Sequence, residues 1–414
     1  MYIPVTRKEN LAMNKILFTC LALVIPLSLL SQSFRKSEIK PFIDFEQGHY
    51  NAVIDSLDKL SITNTKPEFN LLKAKALYQS NNFQEALNLC QKLDRIKPGF
   101  ASALKLRIYL SQEKEKEARE ALIANLNSYY KIPLYELLDA DEYASIYSMN
   151  LHELILGGDY YSQIEKQLYQ IKRYIESENF LQVLFLANEV ISVKWETSEA
   201  HYMKSIALCH QNDLAGALQA INSAILIKKS NAVYYIQRAE IYSDLKKYEL
   251  ALEDINKVIR LDSYEIEHYI VKAGLLFKAG YYDDAKKMTS SILELKPNDP
   301  EVLYLSSKSS YMNDDYLEAL KQVNLAFEQK TEKEFFELRA DIYSSTKTYD
   351  YAIQDYSMYL DIYPRSGEVY AKKGWVRFQL GDLKGACSDW EKGKRYGSHQ
   401  ALKYLEKYCK NQNP

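Results

Sequence analysis

No complete catalytic signature occurs anywhere in this 414-residue chain. His152-Glu153 opens like a His-Glu-x-x-His zinc site, but Leu156 stands where the second histidine is required. Gly157-Gly158 and the Gly381/Gly385 pair lack the Lys-Ser/Thr or the strand context of a phosphate loop, and no Gly-x-Ser-x-Gly elbow is present. The six histidines are scattered; His201 and His210 share one predicted helix but point to opposite sides of it. Cysteines number five, without a Cys-x-x-Cys pair or a metal-ligand spacing. The acid pairs Asp283-Asp284 and Asp314-Asp315 fall between predicted helices, where caps and solvated turns explain them better than acid-base chemistry. A net charge of -2 supplies no general attraction to nucleic acid, and Glu113 to Glu117 is a mixed-sign helix start rather than a basic patch. These absences argue against an enzyme, a metal, a cofactor, a small-molecule substrate and a nucleic-acid partner.

What is present begins with a distinct leader. Met13-Asn14-Lys15 precedes an uncharged run from Ile16 to Leu30, which Pro26 interrupts, and then Ser31-Gln32-Ser33. A basic start, a short apolar core and small residues at a cut site describe a signal peptide over 1–33, with Met13 reading as the start. The run falls short of the roughly 20 residues that span a bilayer. Export to the periplasm or cell envelope is therefore the expectation; an uncleaved anchor is the alternative. Of the cysteines beyond this leader, Cys387 and Cys409 both sit in the last predicted helices, where a bridge between them is open. Buried thiols packing as small hydrophobes are the preferred reading for all four.

The second half of the chain is periodic. Ala217, Ala251, Ala285, Ala319, Ala352 and Ala386 follow one another at intervals of 34, 34, 34, 33 and 34. A period of this length means stacked helical pairs, because one short pair cannot bury its own apolar face. In 232–265, Tyr235, Arg238, Ala239 and Tyr242 lie on a first helix, and Tyr248, Ala251, Ile255 and Val258 on a second. Ala239 and Ala251 are small where the backbones approach, and larger residues fill the volume around them at helical offsets. Tyrosine, at 35 copies, suits such interfaces, where a ring is buried and its hydroxyl reaches an edge.

These residues resemble the tetratricopeptide repeat, a 34-residue helix-turn-helix unit. Tyr269, Ala273, Gly280, Tyr282, Ala285, Ile292 and Pro297 fill its pattern in one unit. Phe336, Ala340, Tyr343, Tyr349, Ala352, Tyr356 and Pro364 fill it in another, and Tyr370, Gly374, Gly381, Leu383, Ala386, Trp390 and Gly393 in the last. The resemblance implies an all-α, right-handed α-solenoid. Looser repeats are expected over 34–121, irregular or degenerate helical repeats over 122–163, a regular array of seven units over 164–400, and a capping helix over 401–414. Within the irregular part, helices are expected at 133–156 and 160–177, separated by Gly157-Gly158-Asp159.

By family logic, side chains at the second, fifth, ninth and twelfth positions of each unit face a concave groove. The positions that result include Tyr202, Glu240, Phe277, Tyr304, Lys308, Tyr311, Glu337, Asp341, Trp375 and Phe378. The lysine and asparagine with which chaperone-binding members clamp a terminal carboxylate are missing, which disfavours a chaperone-tail receptor. The groove instead offers aromatic anchors and acids, suited to a protein or peptide segment with apolar anchors and some basic character. The resemblance thus implies a non-enzymatic interaction scaffold of the bacterial cell envelope and a place in an envelope complex. A glycan or peptidoglycan binder that stacks sugars on those rings is one alternative. A cytoplasmic adaptor is the other, if 1–33 is not a signal.

Overall fold

The computed structural model describes residues 35–60 and 66–409. The leader expected over 1–33 lies outside the described residues. Among those residues the chain is helical, with no strand, and no helix is long and apolar enough to cross a membrane.

Three helix pairs come first: Lys36–Glu46 with Tyr50–Lys59, Pro67–Gln79 with Phe83–Ile96, and Ser102–Ser111 with Glu115–Leu126. Seven further pairs run from Gln163–Glu176 with Phe180–Val193 to Gly367–Gln379 with Leu383–Arg395, and the helix His399–Tyr408 closes the stack. Each helix packs against its neighbours in sequence, which is the contact pattern of a stacked array. Ala217, Ala251, Ala285, Ala319, Ala352 and Ala386 are all fully buried. Close approach of paired helices is direct: Ser307 Oγ donates to the carbonyl of Ala319 at 2.7 Å, and Trp390 Nε1 to that of Ala371 at 3.1 Å. At Gly374 a Cβ would come within 3.0 Å of the Ala386 carbonyl, so only glycine lets those two helices touch.

The turn inside each pair has its own signal. Glu178, Asn212, Lys246, Gly280, Asp314, Lys347 and Gly381 all take positive φ, recurring at the period of the alanines. One left-handed residue reverses the chain there. Side-chain caps then start several second helices: Asp213 accepts from Gly216 N at 2.9 Å, Asp315 from Glu318 N at 3.3 Å, and Asp382 from Gly385 N at 2.8 Å.

Two expectations need correction. The helix expected over 133–156 is broken into Leu134–Asp139, a 3₁₀ turn Asp141–Tyr143, Ser145–Ser148 and Leu151–Gly157. Ala140 is extended and Asn150 left-handed, which inserts Tyr143 and Ile146 into a buried cluster with Leu106, Leu122 and Leu137. Buried Asn125 pins the segment, its amide nitrogen donating to Ser102 Oγ at 2.8 Å and to the Tyr130 carbonyl at 3.1 Å while its oxygen accepts from Ile132 N at 2.9 Å. Nor are all four cysteines free thiols: Cys387 and Cys409 form a disulfide, and Cys90 and Cys209 remain free. The stack end explains the bridge, because it ties the last helix to the pair it covers.

One contact lies beyond neighbour-to-neighbour stacking. Ile39 and Ile43 of the first helix belong to the same buried cluster as Ile255, Ile266, Tyr269 and Ile292. Lys36 pairs with Glu294, 258 positions away. Lys296 bonds Glu267 at 2.8 Å and reaches Glu46 at 4.0 Å. The start of the solenoid therefore laps onto its middle.

Candidate binding groove on the inner face

First helices of successive pairs, which the repeat resemblance places on the inner face, touch one another at several points along the array. Because each pair is offset from the next, side chains one turn apart on neighbouring first helices leave clefts between them. Two half-open clefts occur among the described residues.

The first cleft, about 330 Å³, lies between Ala232–Asp244 and Ile266–Lys278. Exposed Glu240 and Asp244 share this lining with apolar Ile236, Ala239, Val271 and Leu275. Val271 in this lining is 43% exposed. Partial burial, then repulsion from Asp244, pushes the Glu240 carboxyl above its ordinary range.

The second cleft, about 290 Å³, joins Tyr311, Asp341, Ser344, Lys372 and Trp375 to Gln400 and Tyr404 of the last helix. Lys372 Nζ bonds Glu337 and Asp341, each at 2.7 Å, and Tyr356 donates its hydroxyl to Asp341 at 2.5 Å. Burial raises the Asp341 carboxyl in spite of those partners. Tyr311 shares a hydrogen bond of 3.2 Å with Ser345.

Between the clefts, Lys308 Nζ lies 4.6 Å from the Phe277 ring centroid and 5.3 Å from that of Tyr304. Burial, then repulsion from Lys278, lowers the pKa of this ammonium; burial, then Glu337, raises the Tyr304 hydroxyl to about 12.

The structure thus brings Phe277, Tyr304 and Lys308 into one contact, and Tyr311, Asp341 and Trp375 into one cleft, with Glu337 joined to it through Lys372. Glu240 occupies the other cleft. Tyr202 stands apart, its ring 5.3 Å from Tyr234. Phe378 turns toward the stack end, 4.5 Å from Tyr408, and Trp375 stacks at 5.1 Å and 21° on Tyr404. Both rings are half-buried under the closing helix.

Sequence reasoning missed Lys372, because it lies one residue from a counted groove position. It also missed an internal clamp. Arg238 grips Asp254 at 2.8 and 2.7 Å and Asn222 at 2.8 Å; Arg339 grips Asp355 at 2.7 and 2.9 Å and Asn324 at 2.9 Å. Each arginine ties its own pair to the preceding one. Arginine and aspartate recurring at one repeat position carried that signal.

Antiparallel helix pairs stacked in register, with small residues at every crossing, define an α-solenoid of helical repeats. Residues 232–264 match the family profile described as "Tetratricopeptide repeat". Through that unit the chain carries a tetratricopeptide repeat, and its other helix pairs recur at the same period. DnaJ homolog subfamily C member 3 of Gallus gallus is 26% identical over 185 residues, which cover 41% of this chain and 37% of that protein. The chain thus spans well under half the length of that relative. Stress-induced-phosphoprotein 1 of Caenorhabditis elegans is 24% identical over 290 residues, covering 68% and 78%. A tetratricopeptide repeat protein from Parabacteroides merdae superposes with a TM-score of 0.49 at 18% identity, over 59% of this chain and 98% of that one. Repeats of this kind imply a protein-protein interaction scaffold.

Proposed function

We infer that the chain is a non-catalytic scaffold that holds a segment of a partner protein along its inner face. The observation that carries this is the state of that face. It has two open clefts, the first setting Glu240 and Asp244 beside exposed Val271 and other apolar side chains. A stack that needed its inner face only for packing would have filled those spaces.

The cell envelope is the proposed location. Two features support it: the uncharged run from Ile16 to Leu30 behind Lys15, and a disulfide, which persists in oxidising compartments. The partner is proposed to be a component of an envelope complex.

Photocrosslinking tests the groove. A photoreactive amino acid at Ser344, in the second cleft, should give discrete crosslinks to a protein in intact cells. The same residue at exposed Glu253, on a second helix, should not. Equal labelling from both positions, or none from Ser344, removes the groove from the reading.

A glycan-binding role is the second reading, favoured by Trp375 and Tyr404 beside Asp341, Ser344 and Gln400 in that cleft. Titration calorimetry with peptidoglycan fragments separates the two, since a protein scaffold should give no heat.

A further inference from the structure

We propose that the cleft between Ala232–Asp244 and Ile266–Lys278 is a subsite for an arginine side chain of the partner segment. The proposal rests on reading the inner face as a binding groove, and it names what this part of the groove selects.

The cleft combines two features that no short side chain matches. Its lining is largely apolar, with Ile236, Ala239, Val271 and Leu275, while Glu240 and Asp244 stand one helical turn apart on one helix. An arginine lays three methylenes on apolar surface and ends in a planar fork of donors that suits carboxylate oxygens.

Among the described residues the two carboxylates of the cleft, Glu240 and Asp244, both exposed to solvent, are not held in ion pairs. Lys372, by contrast, holds both Glu337 and Asp341. Lys278, the one cation in the lining, directs its ammonium to Ser243 Oγ at 3.1 Å. Two carboxylates against one lysine leave an excess of negative charge beside an apolar lining. Partial burial, then repulsion from Asp244, raises the Glu240 carboxyl, in keeping with two acids sharing one wall.

Gly274 lies in the lining of the cleft. A Cβ added there meets nothing within 4 Å, so the position faces open space rather than a packed neighbour. Glycine in mid-helix costs about 1 kcal/mol relative to alanine, so its presence without a packing reason points to the space itself. The same fact supplies a blocking variant that leaves the fold intact.

The test uses the full chain and two fluorescein-labelled nonapeptide pools of apolar background, one with a fixed central arginine and one with norleucine. Fluorescence anisotropy should show the arginine pool bound at least ~10-fold more tightly, as expected for a charge-assisted fork on two carboxylates. In the double variant Glu240→Gln, Asp244→Asn that preference should nearly vanish. Gly274→Leu should weaken both pools while the melting temperature holds or rises. Equal binding of the two pools, no binding of the arginine pool, or unchanged binding by Gly274→Leu would overturn the subsite. Crosslinks from Ser344 that survive such a result show that the groove stands without this specificity; their loss removes both.

Discussion

Phe42 stacks on Tyr264 with ring centroids 4.9 Å apart and planes within 1° of parallel. Tyr264 also meets Phe69 at 5.1 Å, and Lys66 Nζ lies 5.3 Å from its ring. These rings join the first two helix pairs to a loop far along the array. Tyr264→Ala should cost roughly 1–3 kcal/mol, the value of a half-buried aromatic in a ring cluster. Small-angle scattering should show a longer maximum dimension, and hydrogen exchange should accelerate over 36–46. Unchanged dimensions would mean that Ile39 and Ile43 close the lap alone.

The same joint carries a pH dependence. Burial, then repulsion from Glu267 and Glu265, raises Glu46; burial, then Asp262 and Glu267, raises Glu265. Acids whose folded pKa exceeds the unfolded value bind protons more readily when folded. Their contribution to stability therefore falls as pH rises through the raised values and recovers as pH falls toward the ordinary glutamate range. Glu38 behaves oppositely. Burial opposes its ionisation, but hydrogen bonds from Lys66 and Arg35 outweigh that and hold it low, so its contribution is lost at pH below the ordinary range. Glu265→Gln should raise the melting temperature at neutral pH and flatten the pH dependence of exchange over 36–46. A pH profile that matches the parent would contradict this.

The Arg238–Asp254 clamp should matter more than any surface ion pair. The Asp254 side chain is 6% exposed and that of Arg238 21%, so truncating one partner strands the other in a poorly hydrated site. Asp254→Ala should cost about 2–4 kcal/mol by urea unfolding. Replacing both by apolar residues should cost less than the sum of the single changes. Strict additivity would show that the two groups do not act as a pair.

Much of the fold was legible because its cause is local and repeated. The alanines mark the crossings, and the period fixes the stacking. Counting groove positions also reached Glu240 in one cleft, and Tyr311, Asp341 and Trp375 in the other. Illegible were features set by contacts outside the repeat. Trp375 and Phe378 look like free anchors in sequence, yet Tyr404 and Tyr408 of the last helix cover them. Glu337 and Asp341 look like open acids, yet Lys372 holds both. The lap of Phe42 on Tyr264 depends on how far the superhelix turns, which no single repeat encodes. The short helices of 134–157 follow Tyr143 and Asn125, whose burial has no periodic signature.

The Cys387–Cys409 bridge should anchor the last helix over Trp390. It encloses a loop with a sequence separation of 22 residues. The chain-entropy account assigns a loop of this size roughly 3 kcal/mol. Reduction should speed exchange over 399–408 before it affects earlier pairs. Simultaneous loosening of the whole array would show that the end does not unfold as a separate unit.

Hydrogen exchange across the chain, with and without the protein captured from Ser344, tests the central claim most directly. The account predicts that the partner slows exchange in the first helices 232–244, 266–278, 300–312 and 333–345 while the second helices exchange as before. Protection confined to the second helices, or spread evenly over both, would contradict it.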